Sequence, residues 1–219
     1  MAEEKLDVGV IGLGKFGLEL ALTLSSLGHN VVGLDAHEER VRMAQDDLAT
    51  VYRGNATDIT VLRQLRFEDL DPVIVSVGDS MEDSLLIVLA LQELNVRNIH
   101  VKANSLEYQK ILNRLGVNHV IMPQHEIAVQ FAHRLGTPGM LDVLPLGEGV
   151  LVRELTVEAW DGKSLNDLSL PTKYRVIVLA LRGKGAQHYH FVPAPDQPLS
   201  AGDRMVVLGQ IELVLKLNP

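Results

Sequence analysis

The segment VIGLGKFG, residues 10–17, constrains the fold of this chain more than any other stretch. Gly12, Gly14 and Gly17 fit the pattern G-x-G-x-x-G, and Asp35 ends the next apolar run, about 20 residues further on. The glycines lie between a short apolar run and a segment with helical periodicity. This combination is typical of the first β-α-β unit of a nucleotide-binding sheet.

Each part of this pattern has a physical role at a nucleotide site. Gly12 permits a tight turn, Gly14 lets the backbone approach phosphate oxygens, and Gly17 lets the helix pack close to the strand. The helix N-terminus offers free N–H groups to the phosphates. Asp35 is predicted to accept hydrogen bonds from a ribose diol and to repel a 2′-phosphate, which disfavours NADP. The alternative is that the glycines serve only a turn.

The residues around the loop extend the predicted site. Lys15 and Phe16 lie inside the loop. The Lys15 ammonium is predicted to contact the phosphates of a nucleotide bound to its own subunit or to a neighbouring one. The alternative is that Lys15 is a solvated surface lysine. Asn55 and Ala56 follow the third predicted strand in the segment RGNATD. Asn55 is predicted to meet the adenine or ribose, and its alternative role is to cap the next helix.

Two more predicted site residues lie at the ends of later strands. Gly78 follows the fourth strand in VSVGDS, and Lys102 ends the fifth strand. Ligands of open parallel sheets bind outside the carboxyl ends of the strands, so both residues are expected at the ligand crevice. A simple turn at Gly78 and a solvated Lys102 are the alternatives.

The first 135 residues alternate apolar runs with segments of helical period, which predicts an α/β fold with a doubly wound parallel sheet. Gly28, Gly116 and Gly136 follow three helices where a left-handed residue is expected. The predicted strands are 6–12, 30–35, 49–54, 72–77, 98–102 and 119–122, and the predicted helices are 15–27, 38–46, 58–65, 81–94, 106–115 and 124–135.

The remainder of the chain predicts a small β-rich α+β domain. Residues 135–149 are dense in glycine and proline and are expected to form a hinge and linker. Strands are predicted at 150–158, 175–181, 188–194 and 203–209, with a short helix at 164–170. The resulting domains are residues 1–136, which include the last predicted helix of the first part, and residues 137–219.

Composition excludes several classes of function. The net charge is −8 and no Lys/Arg cluster exceeds a pair, which argues against binding nucleic acid. The longest apolar run, which starts at Leu85, is too short to cross a bilayer, and the acidic N-terminus does not resemble a signal peptide. The chain has no cysteine. We therefore expect a soluble protein of a reducing cytoplasm.

The sequence offers little support for catalysis or a metal centre. His125 and Glu126 begin HEIAVQFAH, but His133 does not have the spacing of a zinc protease motif. His188 and His190 share a predicted strand face without a nearby acid. We therefore predict no catalytic residue and no metal ligand; the alternative is an NAD-dependent oxidoreductase of small substrates.

The motifs together resemble the RCK (KTN) regulatory subunits of bacterial Trk/Ktr potassium uptake systems, TrkA and KtrA in particular. The resemblance lies in VIGLGKFG, GLDAHEERV, GNATD, VSVGDS and VKANSLEYQKILNRLGVNHVIMP, and it continues through residues 150–209. It implies a non-catalytic gating subunit that pairs through its N-terminal lobe and the helix at 124–135. It also implies an octameric ring beneath a membrane potassium-translocating subunit of the KtrB/TrkH type.

The resemblance further implies ligands. KtrA-like members bind ATP or ADP, and TrkA-like members also bind NAD(H). Lys15 stands where KtrA-like chains have an arginine that reaches the γ-phosphate across the dimer. Gln124 stands where relatives carry a glutamate that helps to hold a cation between subunits; Gln124 has no charge, and Glu126 is the alternative ligand. Some relatives bind cyclic di-AMP in the C-terminal domain, which here implicates Lys173–Val178 and VPAP at 192–195.

Overall fold

The computed structural model describes residues 5–78, 80–137, 139–144 and 149–219. The chain divides into two compact units, Met1–Gln124 and His125–Pro219. No helix among these described ranges is both long and apolar enough to span a bilayer.

The first unit contains a six-stranded parallel sheet, which confirms the predicted doubly wound fold. The strand order is β3-β2-β1-β4-β5-β6, so the order reverses between β1 and β4. Loops leaving the carboxyl ends of these two strands diverge to opposite faces and leave a crevice. The strands are β1 (Asp7–Ile11), β2 (Asn30–Asp35), β3 (Thr50–Arg53), β4 (Val73–Val75), β5 (Ile99–Lys102) and β6 (His119–Ile121).

The helices begin where the sequence supplies caps. The side chains of Asp58, Ser80 and Ser105 accept hydrogen bonds from the backbone of the following first turns. A short 3₁₀ turn at Phe67–Asp69 was not predicted. The helices are α1 (Lys15–Ser26), α2 (Glu38–Gln45), α3 (Ile59–Gln64), α4 (Met81–Glu93), α5 (Leu106–Arg114) and α6 (Pro123–Gly136).

Apolar side chains cover both faces of the parallel sheet. Val10 and Ile11 are successive buried residues of β1 and belong to different core clusters. One cluster includes Leu91 of α4, and the other includes Ala21 of α1. Strands buried on both faces need continuous apolar runs, which explains why these strands show no alternation in the sequence.

The second unit contains a five-stranded antiparallel sheet with the order β10-β9-β11-β8-β7. Its core includes Trp160, Leu170 and Met205, with strand residues packed against three short helices. Those helices are α7 (Leu165–Leu168), α8 (Leu170–Tyr174) and α9 (Ile211–Val214), and the strands are β7 (Met140–Leu144), β8 (Val150–Thr156), β9 (Ile177–Arg182), β10 (His190–Phe191) and β11 (Arg204–Gln210).

The predicted linker at 135–149 is wrong in its central part. Met140–Leu144 forms an edge strand that pairs antiparallel with β8. The glycines and prolines that flank this segment obscured a five-residue strand. Pro138 and residues 145–148 of the predicted linker lie outside the described residues.

The three glycines predicted to end helices do not share one backbone conformation. Gly28 and Gly116 have φ angles of +93° and +77°, which confirms the predicted left-handed positions. Gly136 is instead the last residue of α6 and has no positive φ, so that prediction is wrong. The division between the two units falls within α6, and the predicted domain boundary at residues 136 and 137 remains a prediction.

Candidate nucleotide-binding site

The glycine loop joins β1 to α1, and two of its glycines are required by close contacts. Gly12 has a φ of +92°, and a Cβ there would lie 2.9 Å from the carbonyl of Ser76. A Cβ on Gly17 would lie 1.9 Å from the carbonyl oxygen of Gly12. No side chain larger than hydrogen fits at Gly17 without displacement of the loop. Both glycines therefore have the steric roles that the sequence predicts.

Gly14 differs from the other two glycines because nothing in the fold requires it. It is the N-cap of α1, no side chain caps this helix, and its φ is an ordinary −68°. A Cβ at Gly14 would meet only Nη1 of Arg40, at 4.0 Å. The uncapped N-terminus of α1 thus faces open space, which is the geometry that a phosphate group requires. Lys15 is exposed beside it.

Asp35 ends β2 and is buried, with its carboxylate turned toward the glycine loop. The Leu13 backbone N–H donates to Oδ2 at 2.7 Å, and the His37 backbone N–H donates to Oδ1 at 2.8 Å. The His37 ring nitrogen lies 3.0 Å from Oδ1, and Arg40 Nη1 lies 3.5 Å from Oδ2. A carboxylate offers about four acceptor positions. Hydrogen bonds from Leu13 and His37 use three of them, and Arg40 forms an ion pair with the same carboxylate.

These contacts determine the ionisation of Asp35. Burial alone raises the pKa of Asp35, but the hydrogen bonds from His37 and Leu13 and the charge of Arg40 outweigh it. The pKa therefore lies below its ordinary value of 3.8. Asp35 is ionised at neutral pH, and Arg40 offsets part of its charge.

A cleft with an empty volume of about 560 Å³ opens beside Asp35, and we call it the first cleft. Asn55 lines it but uses its Oδ1 to accept hydrogen bonds from the backbone and hydroxyl of Thr57. Asp58, rather than Asn55, caps α3. The residues lining the first cleft are Ile11, Gly12, Leu34, Asp35, Ala36, His37, Arg40, Gly54, Asn55, Ala56, Thr57, Val77, Ser80, Asp83 and Ile87.

A second cleft lies at the ends of β4 and β5, and Val77 lines both clefts. Lys102 Nζ lies 5.7 Å from the centre of the Phe16 ring and 3.3 Å from the position a Cβ would take on Gly78. Lys102 forms no ion pair with any described residue. The residues lining the second cleft are Val77, Gly78, Met81, Lys102, Asn104, Tyr108 and Gln124.

The predicted site residues are thus distributed over one loop and two adjoining clefts. Gly12, Asp35, Asn55 and Ala56 line the first cleft, and Gly78 and Lys102 line the second. Phe16 contacts Lys102, whereas Lys15 lines neither cleft. Their roles toward a ligand remain predictions.

Sequence reasoning did not identify several residues of these clefts. His37 and Arg40 contact Asp35, and Arg40 belongs to the first turn of a helix that had been predicted correctly. Its position five residues after the acid was the signal that could have identified it. Thr57, Ser80, Asn104 and Tyr108 lie in loops or early helix turns at the same edge of the sheet.

The sequence also drew attention to several histidines and to a region implicated in cyclic di-AMP binding. No group of three or more His, Asp or Glu in the described part of the chain could hold a metal ion. His125, Glu126 and His133 lie on α6. His188 lies in the turn that precedes β10, in which His190 begins. The region implicated in cyclic di-AMP binding runs from α8 into β9 and follows β10, and such binding remains a prediction.

Comparison with known proteins identifies the family. Residues 8–123 match the TrkA-N domain, and residues 152–218 match the TrkA-C domain. Ktr system potassium uptake protein A of Vibrio alginolyticus is 32% identical over 213 residues, which cover 95% of each chain. This chain belongs to the TrkA/Ktr family of potassium uptake proteins. Ktr system potassium uptake protein C of Bacillus subtilis (strain 168), another member, is 30% identical over 208 residues, 94% of this chain and 93% of that protein.

Solved structures show the same fold as this TrkA/Ktr family chain. The RCK domain of GsuK aligns with a TM-score of 0.61 at 18% identity, over 98% of this chain and 47% of that chain. The GsuK channel bound to NAD aligns with a TM-score of 0.53 at 21% identity, over 97% of this chain and 38% of that chain. The chain therefore spans less than half the length of these two structural neighbours.

Proposed function

We propose that this protein is a nucleotide-sensing regulatory subunit that controls a membrane potassium-translocating partner. One observation carries the proposal: a glycine loop with the G-x-G-x-x-G pattern lies beside an ionised Asp35 and an open cleft, in a chain of the TrkA/Ktr family. The two relatives described above, from Vibrio alginolyticus and Bacillus subtilis, are potassium uptake proteins. The subunit acts from the cytoplasmic side of the membrane, which it reaches through its partner.

The first cleft would hold the adenosine part of the ligand. The uncapped start of α1 and the space at Gly14 suit the phosphates, and Asp35 suits the ribose. Because the Asp35 carboxylate already has four protein contacts, we expect a ribose hydroxyl to compete for it with the His37 ring or Arg40. The His37 side chain is 65% exposed and can turn outward without loss of packing.

The second cleft favours ATP or ADP as the ligand. Among the described residues that line the second cleft, Lys102 is the one cationic side chain, and none of these residues carries a carboxylate. An ammonium group without an ion pair attracts the terminal phosphates of a nucleotide. NAD(H) is the alternative ligand, since a GsuK channel of similar fold is bound to NAD.

Exposed apolar side chains support assembly into a ring. No residue of α6 is buried, and Ile127, Phe131 and Leu135 repeat at intervals of four residues along it. A helix face of this kind suits pairing with a second copy. Leu86 and Leu89 of α4 are also exposed and suit a further contact. Pairs joined through two such surfaces would close into an octameric ring.

Gating would follow from a shift in the population of ring shapes. A ligand changes the ring only if it binds one shape more tightly than the other. ATP carries one more charged group than ADP for Lys102, and for Lys15 of a neighbouring copy, to detect. Binding energy then does mechanical work on the partner, and no bond of the nucleotide is broken.

Of two further features that the family resemblance implies, this proposal omits one and retains the other. The second cleft is lined by the neutral Gln124, so we propose that it holds no intersubunit cation. We retain cyclic di-AMP as a further ligand of the C-terminal domain, at Lys173–Val178 and residues 192–195.

The test is a titration of the purified full chain with ATP, ADP and NADH, alongside the Gly14→Ala variant. The wild type is expected to bind at least one of the three without consuming it, and Gly14→Ala is expected to bind more weakly while remaining folded. Potassium flux through the membrane partner, measured with each nucleotide, should differ between ATP and ADP. Binding of none of them, or steady oxidation of NADH, would contradict the proposal.

A further inference from the structure

A cluster of positively charged side chains lies in the antiparallel sheet of the second unit. A pocket with an empty volume of about 640 Å³ is present at the turn between β9 and β10 and the start of β11. Every ionisable side chain that lines it is a cation, although the chain carries a net charge of −8. We call it the basic pocket, and its lining residues are Arg182, Gly183, Lys184, Gly185, Ala186, Gly202 and Arg204.

Glu154 neutralises only part of this charge. Arg182 Nη2 lies 3.6 Å from Glu154 Oε2, and the Arg204 guanidinium pairs with the other oxygen of the same carboxylate. The Tyr189 hydroxyl donates to Glu154 as well, and the Arg182 guanidinium lies 4.6 Å from the centre of the Tyr189 ring. Two guanidinium groups thus share one carboxylate. Each has five N–H donors, and the contacts with Glu154 use only part of them.

Lys184 supplies the third cation. It is exposed, and a Cβ on Gly202 would lie 2.8 Å from Lys184 Cδ, so the lysine stem crosses that glycine. Asp203 lies at the same turn, and its two oxygens accept hydrogen bonds from the backbone N–H groups of Lys184 at 3.0 Å and Ser200 at 2.8 Å. The carboxylate therefore fixes the turn, and Lys184 forms no ion pair within the described ranges.

We propose that the basic pocket binds a phosphate group of a small soluble ligand. Two guanidinium groups that already share a carboxylate are spaced to share a phosphate, and Lys184 adds a mobile point charge. The strands and the Asp203 contacts hold the pocket in place before the ligand arrives. The site shares no residue with the first or second cleft, so it would act as an independent input to the regulatory subunit.

The test uses the full chain saturated with ADP, so that the glycine loop is occupied, and equilibrium dialysis with radiolabelled pyrophosphate. Lys184→Gln removes one cation and no ion pair, and Arg204→Gln removes a second. Lys216→Gln, another exposed lysine of the same domain outside the pocket, is the matched control. Each pocket variant is expected to weaken pyrophosphate binding about tenfold, and the control is expected to match the wild type.

Two results would overturn the proposal. One is the absence of saturable pyrophosphate binding to the ADP-loaded wild type; the other is binding that Lys184→Gln leaves unchanged. A parallel flotation assay with vesicles that contain phosphatidic acid separates the sources of phosphate. Vesicle binding that Lys184→Gln removes, without pyrophosphate binding, would assign the pocket to a lipid surface and contradict a soluble ligand.

Discussion

The backbone N–H of Leu13 donates a hydrogen bond of 2.7 Å to the buried carboxylate of Asp35. This bond connects the glycine loop to the end of β2, so the residue predicted to bind ribose also holds the glycine loop in position. Asp35 therefore has a structural role before any ligand is present.

Replacement of Asp35 by asparagine should weaken both the fold and nucleotide binding. The asparagine NH₂ group would face a backbone N–H donor from Leu13 or His37, which leaves a buried donor without an acceptor. We expect a loss of about 1–3 kcal/mol in unfolding free energy. Urea denaturation and ADP titration measure the two effects. Asp46→Asn, at an exposed carboxylate of the same unit, should match the wild type in both.

The contribution of Asp35 should also depend on pH in a defined direction. Its pKa in the folded protein is lower than 3.8, so the stabilisation is complete above the pKa of the unfolded chain and is lost as pH falls through the folded value. The stability difference between wild type and Asp35→Asn should be constant between about pH 5 and pH 7 and shrink below 3.8. A difference that grew on acidification would contradict this assignment.

Gly17→Ala and Gly14→Ala should separate folding from binding. The new Cβ at Gly17 would lie 1.9 Å from the Gly12 carbonyl oxygen, and we expect a loss of about 1–3 kcal/mol or more in stability. The Cβ at Gly14 meets no close neighbour, so we expect a change of less than about 1 kcal/mol. Calorimetry should show a lower melting temperature for Gly17→Ala alone, while ADP titration should show weaker binding for both.

The sequence predicted the strands and turns of the first unit well where local signals agree with the tertiary structure. The glycine pattern specified both the turn at Gly12 and the close packing at Gly17, and the Asn30–Asp35 strand was predicted with its observed bounds. The contacts of His37 and Arg40 with Asp35 were missed, although Arg40 lies only five residues after the acid, because such contacts depend on how the turn into α2 directs the side chains. The strand at Met140–Leu144 was missed because the glycines and prolines on either side of it resemble a linker, although it pairs with β8, the next strand in the sequence.

Lys102 should contribute more to binding a triphosphate than to binding adenosine. It forms no ion pair with any described residue and lines the second cleft, beyond the part that suits adenosine. We expect Lys102→Gln to weaken ATP binding about tenfold. Isothermal titration with ATP and adenosine checks the difference. Lys110→Gln, at an exposed lysine of α5 that lines neither cleft, is the control. Equal losses for both ligands would place Lys102 outside the phosphate site.

The ring centres of His100 and His119 lie 5.6 Å apart on neighbouring strands, and His100 is half-buried there. Burial lowers the pKa of His100 below 6.5, the nearby His119 lowers it further, and Asp71 opposes both. Below pH 6.5 the unfolded chain takes up this proton more readily, so stability should decrease as pH falls through that range.

NMR titration of the His100 ring tests this balance with two variants that should shift the pKa of His100 in opposite directions. His119→Gln removes the neighbouring imidazole and should raise the pKa of His100. Asp71→Asn removes the opposing negative charge and should lower it. Because burial is the largest cause, the pKa should remain below 6.5 even in His119→Gln. A value at or above 6.5 in that variant would mean that charge repulsion, rather than burial, controls this histidine.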